Sequence, residues 1–126
     1  MMIIGKVRNE KIGKLGLSDS LLKLSQGQFV HDELEFRCME IKYSLEDEDF
    51  SPSKLDVVPL WESDSSITGF YLNSDNKAIF IHYYIDNIDE YQIIGDSESN
   101  LIDFLVSEYV DYDYEKEVRE LLKIRN

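Results

Sequence analysis

The chain is poor in the residues that carry most catalytic chemistry. Its 126 residues hold one cysteine, Cys38, and two histidines, His31 and His82. A lone cysteine closes no internal disulfide, and no second histidine stands at zinc-ligand spacing. The usage suits a reducing compartment. No apolar run approaches the ~20 residues that span a bilayer. The opening Met1-Met2-Ile3-Ile4-Gly5-Lys6 lacks the basic-then-apolar order of a signal peptide. The expectation is therefore a cytoplasmic protein. Bases are scarce as well: 13 Lys plus Arg stand against 26 Asp plus Glu, for a net charge of -13. This argues against a nucleic-acid partner, whose binding rests on neutralised phosphates, and against an anionic membrane.

What the chain does have is a core. Hydrophobic residues make up 43%, with 8 Tyr and 6 Phe. A chain of this length folds as one domain, residues 1–126, and buries roughly two-thirds of its unfolded surface without disulfides or metals. The charge is segregated along it. Residues 1–30 carry net +3, residues 31–64 net -8, residues 65–85 none and residues 86–126 net -8. The neutral stretch is also the most apolar, so it should form the centre of the fold.

Local signals outline the elements. Residues 17–26 read as a short helix, capped by Ser18 and stopped by Gly27. Residues 34–45 alternate in two phases, Leu34, Phe36 and Cys38, then Met39, Ile41 and Tyr43. A strand pair or a bulged strand fits the slip, and a helix competes. Residues 46–54 read as a loop, because Glu46-Asp47-Glu48-Asp49 repel one another and Pro52 follows. Leu55 to Trp61 is extended, with Pro59 placing it at an edge or strand end. Residues 67–72 and 77–85 form a hairpin across Asn73-Ser74-Asp75-Asn76. Ile79, Ile81 and Tyr83 share one face of its second strand; Ala78, Phe80, His82 and Tyr84 share the other. That strand should be central and covered. A short strand, Tyr91 to Ile94, stops at Gly95. Two helices follow. The first is capped by Asp96 or Ser97, with a stripe of Leu101, Leu105 and Tyr109. The second starts near Asp113, with Tyr114, Val118, Leu121 and Leu122 inward and a Glu115–Arg119 pair outward. The fold class is α+β: a central antiparallel sheet, a short N-terminal helix and two C-terminal helices.

No reactive constellation appears. There is no glycine-rich phosphate loop, no G-x-S-x-G and no H-E-x-x-H. Asn73–Lys77 lacks the glycine and distal Glu of a calcium loop. His82 lies among strand aromatics and reads as structural. His31, beside Asp32 and Glu33, could contribute to a metal site. Cys38 reads as a packed thiol. An enzyme acting on a small molecule would need a deep polar pocket at His82 or a metal at His31. No catalytic residue, metal or cofactor is assigned.

One run stands out: Glu108-Tyr109-Val110-Asp111-Tyr112-Asp113-Tyr114-Glu115. As a plain helix connection, it packs Tyr109 and Tyr114 and leaves the acids in water. As a contact surface, it offers rigid aromatic area beside carboxylates that steer a basic partner. The candidate partner-binding residues are Glu46, Asp47, Glu48, Asp49, Asp111, Tyr112 and Asp113, with Trp61 and Glu62 next. Trp61 and Glu62 divide evenly between core and interface.

Val58-Pro59-Leu60-Trp61-Glu62, followed by Ser66-Ile67-Thr68-Gly69-Phe70-Tyr71-Leu72, resembles the P-L-[WF] segment leading into the central hairpin of the SUKH superfamily. Ile93-Ile94-Gly95-Asp96-Ser97 and Leu101-Ile102-Asp103-Phe104-Leu105 resemble that family's I-G-x-S-x-x-x-F-L passage into a C-terminal helix. The likeness spans roughly residues 57–110. The start departs from it, since Leu24-Ser25-Gln26-Gly27 only partly matches the family's N-G helix ending. The resemblance implies a non-enzymatic role. Many bacterial members are immunity proteins that bind and block a cognate toxin, often a nuclease or deaminase; others are regulatory binding modules. A nuclease toxin would present a basic face to an acidic inhibitor.

Overall fold

A computed structural model describes residues 1–35, 37–38 and 50–125. The expected mixed α+β architecture is present. Its described helices are α1 (Gly5–Gly13), α2 (Asp19–Ser25), α3 (Glu98–Tyr109) and α4 (Glu115–Leu121). Its described strands are β1 (Val58–Ser63), β2 (Ser66–Leu72), β3 (Ala78–Tyr84) and β4 (Gln92–Gly95). They form one antiparallel sheet in the order β1-β2-β3-β4. The ambiguous run 34–45 reaches the described residues only at 34–35 and 37–38, with Leu34 in a short 3-10 turn. The acid block Glu46–Asp49 lies outside the described residues.

The hairpin has the expected alternation. Phe70 pairs with Phe80 and Thr68 with His82, while Ile67 pairs with Tyr83 and Gly69 with Ile81. Phe70 and Phe80 join the main core, under the helices, with Leu21 and Leu24 of α2, Leu101 and Leu105 of α3, and Val118 of α4. Ile67, Ile81 and Tyr83 belong to a second apolar cluster with Val57. At the turn, the Asn73 side-chain oxygen accepts from the backbone N–H groups of Asp75 and Lys77 at 2.9 and 3.0 Å. That local bond is why a turn forms there.

β1 corrects one expectation. The strand runs on through Ser63, so Trp61 and Glu62 are interior: Trp61 is 0% exposed and Glu62 1%. Neither offers a contact surface. The register slips between Pro59 and Trp61, which leaves Leu60 as the extra residue of a bulge. The bulge allows adjacent Leu60 and Trp61 to join the same core, where a regular strand would send them to opposite faces. Gly69 lies opposite, and a Cβ there would fall 2.5 Å from the Val58 carbonyl oxygen. Only glycine allows this close approach.

The two edges of the sheet are treated differently. Along β1, Pro59 has no N–H to present. Arg8 of α1 donates from Nε to the Pro59 carbonyl at 2.7 Å. Its Nη2 donates to the Leu60 and Ser25 carbonyls at 3.0 and 2.6 Å. Before β1, the N-terminus pairs alongside Val57: the Ile3 N–H donates to the Val57 carbonyl, and the Val57 N–H to Met1. Helix α1 was absent from the expected elements, yet it carries the residue that seals this edge. β4 has no such cover among the described residues.

Candidate functional site

The tyrosine-acid run emerges where α3 ends. Ser97 caps the start of that helix, accepting from the Asn100 N–H at 3.1 Å. Leu101, Ile102, Phe104, Leu105 and Val106 bury its inner face. At its last residue, the Tyr109 hydroxyl reaches Ser66 and Ser63 beside the β1–β2 turn, and burial pushes its pKa up to about 12. Its ring also meets Phe104 edge-on, centroids 6.2 Å apart. Tyr109 is therefore packed, as expected, and pins the end of α3 to the end of the sheet. Val110 is extended and buried. The chain then leaves the core through Asp111 and turns in a short 3-10 segment, Tyr112–Tyr114.

That geometry turns Asp111, Tyr112 and Asp113 outward. All three are exposed, Tyr112 at 86%. Tyr114 departs from the packed role expected of it. It stays exposed and leans on the His31 ring, centroids 5.9 Å apart. His31 links three segments. Its Nδ1 accepts the Glu33 N–H at 3.1 Å, and its Nε2 lies 3.0 Å from Glu117 Oε2. Both bonds form together when Nε2 carries a proton and Nδ1 does not, and the ring then clasps the two segments. Glu33 Oε2 also accepts the Asp111 N–H at 3.4 Å. Glu33 is thus brought beside Asp111 and, through His31, is linked to Glu117. Sequence flagged His31-Asp32-Glu33, but its partner Glu117 stands 86 residues away and left no local sign. The expected Glu115–Arg119 pair gives way to a tertiary one, in which Arg119 donates to Asp103 of α3.

The other candidates for chemistry are interior. His82 is buried, its Nδ1 3.1 Å from the Thr68 hydroxyl and its ring between Tyr84 and Phe104. Burial lowers its pKa, so it is a neutral packing residue. Cys38 is fully enclosed, and burial raises its thiol far above the reactive range. Among the described residues no group of three or more His, Cys, Asp or Glu is placed to hold a metal ion. No described helix is long and apolar enough to cross a membrane.

No family model, curated protein or solved structure matches the chain. The reading of the surface therefore rests on its own geometry. Carboxylates around an exposed phenol can hold cationic side chains and give an aromatic ring to pack against.

Proposed function

We propose that this chain is a non-catalytic binding module that captures a basic protein. Its most specific form is the one the SUKH resemblance implies: a cytoplasmic immunity protein that neutralises a cognate toxin. The observation that carries the reading is the outward Asp111-Tyr112-Asp113 turn, fixed by the Tyr109 anchor and flanked by Glu33 and Glu117. A chain of charge -13 that sets its exposed tyrosine among acids is suited to a basic protein surface. The second reading is a regulatory binding module with no toxin partner.

The test uses the product of the neighbouring gene, purified and mixed with the full chain. Asp111→Lys with Asp113→Lys should slow association and weaken binding by about tenfold or more, with a reduced salt dependence. Coexpression should protect cells from that product only with the unmodified chain. Unchanged binding and salt dependence in the double variant would remove this surface from the interface. A neighbour with no toxic activity that still binds would favour the regulatory module.

A further inference from the structure

β4 ends the sheet with a bulge at Ile94 but without the proline and the buried arginine found along β1. It is four residues long, contains no proline or charged residue, and exposes Ile93 at 59%. Among the described residues, no backbone hydrogen bond outside the sheet involves Gln92–Gly95. A groove of about 270 Å³ runs beside the strand, bounded by Ile93 and Ile94 on one side and by Asp103, Phe104, Ser107 and Glu108 of α3 on the other. Shortness and a bulge are two ways proteins discourage pairing at an edge, but an exposed apolar residue works against that protection.

From these observations we infer that the β4 edge is a docking strip for an extended, basic segment of a partner protein. The segment adds a strand to the sheet, its main chain pairing with β4 and an apolar side chain covering Ile93. Its charge follows from the rim. Glu108 forms no ion pair among the described residues, and α3 ends beside it with no base in its last turn. The negative pole of the helix is therefore unopposed and favours cations. Glu108 and the net charge of -13 argue against a second copy of this chain, which would bring like charges together. The inference rests on the reading of the chain as a protein-binding module. It does not depend on the Asp111 surface or on the partner being a toxin.

The probe is a short peptide alternating valine and lysine, titrated into the full-length chain while backbone amides are followed by NMR. Shifts should centre on Gln92–Gly95 and the facing turns of α3. N-methylating the peptide's pairing amides removes main-chain donors and keeps its charge, and should weaken binding by about tenfold. Ile93→Lys should weaken it at least as much, while Leu72→Lys, at an exposed site away from this groove, should leave it unchanged. A valine-glutamate peptide should not bind. The inference is overturned if the N-methylated peptide binds equally well, if the glutamate peptide binds, if the lysine peptide does not bind, or if the shifts map to Asp111–Asp113. The neighbouring-gene assay can fail while this one succeeds, so the two readings fail separately.

Discussion

One edge of the sheet is sealed by a buried cation, and the other is left bare. At β1, the Arg8 guanidinium meets three carbonyls, and a bulge and a proline break the regular hydrogen-bonding edge. At β4, a short strand also bulged, at Ile94, ends the sheet with Ile93 in solvent and with no proline or buried arginine along it. Both edges pose the same problem, a row of unpaired peptide groups. The β1 solution recruits helix α1 and places a charge in the interior, where burial lowers the arginine pKa. That arrangement makes β1 part of the stability of the domain. It leaves β4 as the edge that can change without unfolding the rest.

The largest effect should therefore come from Arg8. Arg8→Ala removes the donors to the Pro59, Leu60 and Ser25 carbonyls in one step. Leaving buried acceptors unsatisfied should cost about 3 kcal/mol or more. Arg8→Lys should recover only part of the loss, because an ammonium lacks the planar fork that reaches acceptors in two directions. Urea unfolding is the check. A loss below about 1 kcal/mol for Arg8→Ala would mean that the β1 edge is not held by this residue, and the contrast between the edges would weaken.

The same contrast explains which parts were legible in the sequence. The hairpin, the Ser18 and Ser97 caps and the α3 stripe depend on neighbours in the chain, so local patterns revealed them. Helix α1 was not legible. Only Arg8 and Ile12 of it are buried, and the bonds of Arg8 reach carbonyls up to 52 residues away. The sequence pattern ends the extended run at Trp61 and so leaves Trp61 and Glu62 divided between core and interface, and the bulge that draws Leu60 and Trp61 together has no local mark. Of the proposed contact surface, the exposed Asp111-Tyr112-Asp113 turn was legible, since tyrosines alternating with acids make an unusual run. Its clasp was not, because His31 and Glu117 meet only through the tertiary fold.

A middle-sized effect should appear on the β4 side of the interior, where His82 pairs in register with Gln92. Burial lowers the His82 pKa, so the unfolded chain takes up a proton that the folded chain resists. Stability from this group is intact above the ordinary imidazole range near pH ~6.5 and falls as pH drops through that value. The decline stops once pH is below the lowered folded-state pKa. Its slope should not exceed about 1.4 kcal/mol per pH unit for one proton. His82→Gln should flatten this component while carboxylate titration remains at lower pH. If unfolding measured between neutral and mildly acid pH keeps the same slope in the variant, His82 is not its source.

The smallest effect should come from Ile93, and it sharpens the comparison most. Ile93→Lys replaces an exposed apolar side chain with one that solvates readily and discourages strand addition. It breaks no described side-chain hydrogen bond and leaves the backbone pairing with Ile81 available. The change in unfolding free energy should stay within about 0.5 kcal/mol, as for surface positions outside special features. Loss of peptide capture with stability intact would separate the two edges cleanly, one holding the fold and the other free for recognition. A destabilisation near that of Arg8→Ala would instead make β4 structural, and the bare edge would then be a consequence of the fold with no role in binding.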